Sequence, residues 1–141
     1  MTSEAISEAI TVMSDAPEPT ERELQILKVL WARGEGTVRE VYEALRDEVP
    51  IVQNTVQAFL RTMEEKGLVH HRNEGRTFVY RAVLSGERTK KNLLGGLLES
   101  VFDGALDQLV ASALQAKKPS RDELARLRVL LAEAEKKRSS S

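Results

Sequence analysis

The chain has 141 residues, of which 41% are hydrophobic and 4% aromatic, with a net charge of −1 and no cysteine. This composition allows one domain, or a small domain with an oligomerisation appendage, and it excludes disulfides and cysteine-ligated metal sites. No run approaches the roughly 18 apolar residues of a transmembrane helix, and the acidic start differs from a secretory signal. We therefore expect a soluble cytoplasmic protein without direct membrane association.

Positive charge is concentrated in the middle of the chain. Residues 51–91 hold eight basic and four acidic residues, a net charge of +4, whereas residues 1–19 hold four acidic residues and no basic one. A local basic surface can hold phosphates on a nearly neutral protein, although charge alone fits a solvated face equally well. We expect residues 1–19 to form a disordered acidic arm.

The first half of the chain predicts three helices. Two of them begin with capping-box pairs, Thr20 with Glu23 and Thr37 with Glu40, each followed by apolar residues at helical spacing. The third carries an inward stripe at positions i, i+3, i+4 and i+7, formed by Val56, Phe59, Leu60 and Met63. The three helices are predicted over residues 20–33, 38–48 and 53–66.

A β hairpin is predicted next. Residues 68–72 and 77–83 have strand character, and the loop Asn73-Glu74-Gly75-Arg76 between them is typical of a hairpin connection. The fold class is therefore mainly α with a small β hairpin, in the order of a winged helix-turn-helix. We expect this winged-helix domain to span residues 20–84.

The C-terminal part predicts three further helices with leucine stripes, over residues 86–102, 103–116 and 120–138. A winged helix of this size closes its own core, so these narrow apolar faces need a cover, most economically a second copy of the chain. The alternative is a single helical core folded against its own winged helix. We expect a helical dimerisation region at 85–138 and a disordered tail at 139–141. The candidate dimerisation residues are Leu93, Leu94, Leu97, Leu98, Val101, Phe102, Leu106, Leu109, Val110, Leu127, Leu130 and Leu131.

The third helix has the features of a recognition helix. A helix-turn-helix inserts the amino end of its second helix into the major groove, where Asn and Gln can pair with adenine and a Thr methyl can contact thymine. Arginines one turn on and in the hairpin can reach phosphates. The alternative is that the polar residues only cap the helix or form an ordinary solvated face. The candidate DNA-binding residues are Asn54, Thr55, Gln57, Ala58, Arg61, Arg72, Arg76 and Thr77.

Catalytic and metal-binding patterns are missing from the sequence. No nucleophile–base spacing, phosphate loop or HExxH motif occurs, and the carboxylates are scattered over helix surfaces. His70 and His71 are neighbours in a strand and point to opposite faces, so one ion cannot easily bind both. We predict no enzyme activity, no metal site and no cofactor.

The runs LQILKVLWARGEGTVREVYEAL (24–45) and NTVQAFLRTMEEKGLVHHRNEGRTFVYRAV (54–83) resemble the penicillinase repressor family of BlaI/MecI type, relatives of the copper-responsive CopY repressors. The resemblance extends over residues 20–137. It implies a bacterial homodimeric repressor that binds an inverted-repeat operator of double-stranded DNA through its winged helix. The family's base-reading positions fall on Asn54, Thr55 and Gln57, and its wing on residues 72–77.

The resemblance also suggests how such a repressor is released. In the β-lactam branch, a membrane sensor-protease triggers cleavage at an Asn-Phe bond. The matching place here is near Ser112-Ala113, where that dipeptide is absent, so cleavage at this bond is in doubt. The copper branch uses a C-terminal cysteine motif, which a chain without cysteine excludes. The release signal is therefore unidentified, and proteolysis by such a partner and effector binding both remain open.

Two alternatives to a simple repressor follow from the sequence. One is a ligand-sensing regulator whose effector lies between the C-terminal helices, in a pocket lined by Phe102 and the Gly95-Gly96 pair. The other is a protein-interaction winged helix without sequence-specific DNA binding. In that protein the hairpin and the third helix would form a docking surface for a protein partner.

Overall fold

The computed structural model describes residues 18–140, so the predicted acidic arm lies outside the described residues up to position 17. The described part contains six helices and one two-stranded antiparallel sheet, which confirms the predicted fold class. The elements are α1 (Glu21–Arg33), α2 (Val38–Leu45), α3 (Gln53–Glu65), β1 (Val69–Glu74), β2 (Thr77–Ala82), α4 (Gly86–Ser100), α5 (Leu106–Ala116) and α6 (Arg121–Ser140).

Both capping boxes predicted for the first two helices form. The Thr20 hydroxyl accepts the Glu23 N–H at 3.3 Å, and the Glu23 carboxylate accepts the Thr20 N–H at 2.9 Å. Thr37 and Glu40 repeat this exchange at 3.1 and 2.9 Å. Two donors at each helix start are satisfied locally, which fixes where α1 and α2 begin. Helix α2 ends at Leu45, earlier than the predicted residue 48.

The core lies between the first three helices and the hairpin. Three residues of the predicted α3 stripe, Val56, Leu60 and Met63, are fully buried, and Phe59 packs against them at the edge. Each such side chain contributes about 1.5–3 kcal/mol relative to exposure. The other buried residues of this cluster are Ile26, Leu27, Leu30, Val41, Leu45, Leu68, Val69 and Tyr80.

The hairpin turn is tighter than the sequence suggested. Glu74 pairs with Thr77, so the loop has two residues, and the prediction of a four-residue loop is wrong. The reason is Gly75, whose φ of 65° lets the chain reverse within two residues. In the middle of β2, Tyr80 exchanges backbone hydrogen bonds of 2.9 and 2.8 Å with Gly36, which join the hairpin to the segment between α1 and α2.

Helix α4 leaves the winged helix at a fixed point. The Trp31 indole N–H donates to the Leu84 carbonyl at 2.9 Å. The same indole lies against Gly86, where an added Cβ would come within 3.2 Å of the ring. Beyond this contact, Thr89 is the one described residue of α4 that is buried. The direction of α4 is therefore set at its first turn.

The C-terminal helices differ from the prediction in their bounds. Asp103 and Gly104 have φ values of 51° and 80°, which a right-handed helix excludes, so α5 begins at Leu106 and not at Asp103. Helix α6 continues through Ser140, past the expected end at Arg138, and Ser141 lies outside the described residues. Within residues 18–140, no helix is both long enough and apolar enough to cross a membrane.

Candidate nucleic-acid interface

Helix α3 begins without a side-chain cap. Its N-cap is Val52, and no side chain accepts a hydrogen bond from the first turn, in contrast to the boxed starts of α1 and α2. The interpretation of Asn54 and Thr55 as capping residues is therefore wrong. The N–H groups of Gln53 and Asn54 find no acceptor among residues 18–140, and the helix dipole adds partial positive charge at this end.

The face of α3 opposite the core is open. Asn54, Thr55, Gln57, Ala58 and Arg61 are all exposed, as their predicted role requires. The buried stripe on the other side of the helix anchors it in the core, so these side chains stand on a rigid element. A rigid helix presents its side chains to base edges with little loss of backbone entropy on binding.

A groove of about 560 Å³ separates α3 from the hairpin. Four of the eight candidate DNA-binding residues line it: Gln57 and Arg61 from α3, and Arg76 and Thr77 from the hairpin. Sequence reasoning missed the other lining residues. Three of them form the start of α2, which the sequence located by its capping box at Thr37. The sequence did not show that this start lies beside α3. The missed residues are Thr37, Val38, Arg39, Gln53, Glu64, Phe78 and Tyr80.

The charges in this groove are unevenly paired. Arg39 lies 3.4 Å from Glu43, and Glu64 lies 2.7 Å from His71. Arg61 and Arg76 make no ion pair with any residue of the range 18–140. These two guanidinium groups are therefore available to phosphates, the groups to which most protein–DNA hydrogen bonds are made.

Arg72 lies on the opposite face of the hairpin. Its guanidinium pairs with Glu35 at 2.7 Å and also with Glu74. The hydrogen bond to Glu74 and the charge of Glu35 raise the pKa of Arg72, with slight burial acting against them. Arg81 approaches the same Glu35 carboxylate at 3.9 Å. The structure thus ties Arg72 to the α1–α2 connection and does not bring it into the groove with Arg61 and Arg76.

The two histidines separate as the strand alternation requires. His71 faces α3, where its Nδ1–H donates to both carboxylate oxygens of Glu64 at 2.7 and 2.8 Å. His70 lies on the other face with Arg72 and Arg81. Across residues 18–140, no three His, Cys, Asp or Glu side chains come together as a metal site would need.

The candidate dimerisation residues lie on α4, directly after its end, and on α5 and α6, and all of them are exposed or half-buried. None of the twelve is buried within the described chain, and Leu94, Val101 and Leu130 are 53%, 61% and 60% exposed. Helices α5 and α6 contain no buried residue at all. Between them lies an apolar groove of about 450 Å³, lined by Leu109, Val110, Leu114, Leu127 and Leu130 among others.

A comparison of the sequence with family models decides the assignment. Residues 19–133 match the model of the penicillinase repressor. The chain belongs to the penicillinase repressor family. The family consists of DNA-binding transcriptional repressors of winged-helix type and not of enzymes. The resemblance stated from the sequence is therefore confirmed.

Individual relatives agree with this assignment. The chain is 26% identical to the penicillinase repressor of Bacillus licheniformis over 121 residues, which cover 86% of this chain and 94% of the relative. It is 18% identical to the methicillin resistance regulatory protein MecI of Staphylococcus aureus (strain N315) over 114 residues, covering 81% and 93%. Both relatives are matched over nearly their whole length.

Two solved structures are similar to this chain. A MarR family protein from Bacillus stearothermophilus matches with a TM-score of 0.50 at 16% identity, covering 98% of this chain and 88% of that one. The solution structure of monomeric Bacillus licheniformis BlaI in complex with the blaP half-operator matches at 29% identity and a TM-score of 0.46, covering 51% and 88%. The MarR match supports a winged-helix fold and nothing more specific.

Proposed function

We propose that this repressor binds an inverted-repeat operator as a homodimer and places the amino end of α3 in the major groove. The observation that carries the proposal is the open head of α3 beside a groove with two unpaired arginines. Asn54 and Gln57 have the amide groups that pair with adenine, while Thr55 and Ala58 offer methyl groups to thymine. Base contacts then supply the sequence specificity.

The hairpin supplies the flanking contacts. Arg76 and Thr77 stand at its tip and line the groove that α3 shares, so they can reach the phosphates next to the bases read by α3. Arg61 reaches phosphates from the helix side of the same groove. Arg72, predicted from sequence as a further contact, is held by Glu35 and Glu74, and we assign it to fixing the hairpin.

The dimer is proposed to form through α4, α5 and α6. The twelve candidate residues are apolar and exposed or half-buried, so covering them with a second copy of the chain is favourable. Full burial of one leucine contributes about 1.5–3 kcal/mol. The gain from several such residues is of the same order as the cost of association, which is about 4–15 kcal/mol. A symmetric pair presents two copies of α3 to one duplex, with half-sites about 34 Å or a multiple of it apart.

Release from DNA follows from any event that separates these helices. The family resemblance suggests a membrane sensor-protease as the partner, and Ser112 and Ala113 are exposed within α5. An effector has a better place between α5 and α6 than beside Gly96, because the latter groove is smaller, about 240 Å³ against 450 Å³. Phe102 lines neither of these two grooves, contrary to the sequence-based expectation.

Salt dependence distinguishes DNA binding from a protein-docking role. The affinity of the wild-type protein for a fluorescent duplex of random sequence is measured by anisotropy at increasing salt. Because phosphate contacts release counterions, the logarithm of the binding constant should fall linearly with the logarithm of salt concentration, at about 0.9 per phosphate contacted. Absence of binding at low salt, or binding that ignores salt, would favour the protein-interaction alternative.

A further inference from the structure

We infer that Phe78 is a DNA-contacting residue of the hairpin, and that His71 and Glu64 are positioning residues that hold its ring in the groove. The inference rests on the proposed function, because it assumes that the groove between α3 and the hairpin receives DNA. It adds an aromatic contact to a surface for which no aromatic residue was predicted from the sequence.

Phe78 is placed where a bound duplex would pass. Its ring lines the groove together with Gln57, Arg61 and Arg76. The residue is 43% exposed, although Tyr80 and Val69 on the same face of the hairpin are buried. A large apolar ring in the same groove as two unpaired cations can contact the deoxyribose and base edges while those cations bind phosphates.

His71 holds the Phe78 ring in this position. The two rings stack with centroids 3.9 Å apart and planes 13° from parallel. His71 and Phe78 lie on adjacent strands and on the same face of the hairpin, because His71 pairs with Tyr80 and Asn73 pairs with Phe78. The imidazole covers one face of the phenyl ring, and the exposed remainder of that ring is directed to the groove.

Glu64 connects this stack to the recognition helix. Its carboxylate accepts the His71 N–H, and the side chains of Glu64 and His71 are only 33% and 26% exposed. Glu64 lies seven residues beyond Gln57 on α3, a rise of about 10 Å along the helix. The chain Glu64–His71–Phe78 therefore sets the distance between the base-reading end of α3 and the aromatic ring of the hairpin.

The first test replaces the ring and keeps the charge. DNA binding is measured with a duplex selected by the wild-type protein from a random-sequence pool. Phe78→Leu should weaken binding roughly tenfold through lost apolar contact, with the salt slope unchanged because no charge is altered. The matched control is Val83→Ala, which shortens a residue 49% exposed directly after β2 and outside the groove, and should bind like wild type.

The second test asks whether Glu64 and His71 act through Phe78. The loss caused by Phe78→Leu is measured again in Glu64→Ala, Glu64→Gln and His71→Ala backgrounds. It should shrink with Glu64→Ala and His71→Ala, which release the ring, and persist with Glu64→Gln, which keeps an acceptor for the His71 N–H. This comparison cancels the general effect of removing a carboxylate near phosphates. A loss of equal size in every background would overturn the positioning roles.

The outcomes separate this inference from the proposed function. A wild-type protein that selects no duplex contradicts the proposed function, and the inference falls with it. A wild-type protein that binds, with Phe78→Leu unaffected, overturns the inference alone. If Phe78→Leu lowers the urea midpoint of unfolding, weaker binding would have a second cause in the less stable fold. In that case p-benzoylphenylalanine replaces Phe78 and tests the contact directly. Photocrosslinking to the selected duplex supports a DNA contact, and its absence in a protein that binds the duplex contradicts one.

Discussion

The ammonium group of Lys66 lies 2.6 Å from the buried carboxylate of Glu23. Lys66 is the C-cap of α3, and Glu23 is the capping-box residue of α1, so one carboxylate serves both the start of α1 and the end of α3. The pair spans 43 residues of sequence. It fixes the end of the recognition helix that points away from the proposed DNA surface.

Removing the lysine should destabilise the fold. In Lys66→Met the Glu23 carboxylate stays buried without its cation, and we expect the free energy of unfolding to fall by about 1–3 kcal/mol in urea titrations. Lys90→Met removes a lysine that pairs with Glu87 on an exposed surface, and it should change stability by less than about 0.5 kcal/mol. Equal losses of unfolding free energy for the two substitutions would mean that the buried pair stabilises the fold no more than an exposed pair does.

The same pair predicts how stability depends on pH. Burial raises the pKa of Glu23, but the hydrogen bonds from Lys66 and Thr20 and the lysine charge outweigh it, and the net pKa is below the usual 4.5. A carboxyl whose pKa is depressed in the folded state stabilises the protein above its unfolded pKa and loses this effect as pH falls through the folded value. Wild type should therefore lose its stability advantage over Glu23→Gln below pH 4.5, measured by urea titration across that range. An advantage independent of pH would contradict this assignment.

Local chemistry explains which parts of the fold could be predicted from the sequence. The capping boxes at Thr20 and Thr37 and the α3 stripe depend on residues three or four positions apart, which a linear reading detects. The exact loop length at Gly75 and the break at Asp103 were not predicted, because each depends on a single backbone angle. The residue types at a position indicate a left-handed conformation only weakly.

Long-range pairings limited the prediction of the site. Arg72 looked like a hairpin cation free for phosphate, but its partner Glu35 is 37 residues away in the sequence. Phe78 looked like an ordinary strand residue, since neither its stack on His71 nor the anchoring of His71 by Glu64 can be derived from spacing. Strand pairing brings His71 to Phe78, and the packing of the hairpin against α3 brings His71 to Glu64.

Arg72 and Arg76 should respond differently to substitution. Arg76→Ala removes an unpaired cation from the groove and should lower the salt slope of DNA binding by about 0.9, the value for one phosphate contact. Arg72→Ala removes the same charge from the opposite face, where Glu35 and Glu74 already neutralise it, and should leave that slope unchanged. Anisotropy titrations at several salt concentrations measure both. The reverse pattern would place the DNA on the other face of the hairpin.

The proposed dimer surface predicts the effect of a single charge. Leu130 is 60% exposed and lines the groove between α5 and α6, so Leu130→Glu should convert the dimer to a monomer in sedimentation equilibrium at micromolar protein. Val129 is its neighbour on α6, equally exposed and outside that groove. Val129→Glu should remain dimeric. A wild-type chain that sediments as a monomer would refute the interface altogether.

Selection of duplexes from a random-sequence pool tests the central claim most directly. The wild-type protein should recover inverted repeats whose half-sites are one helical turn or a multiple of it apart. Asn54→Ala should recover the same repeats with one position in each half-site relaxed, at a cost of about 1–3 kcal/mol in discrimination. Recovery of no common sequence by the wild type, or identical sequences with both proteins, would contradict base reading by the amino end of α3.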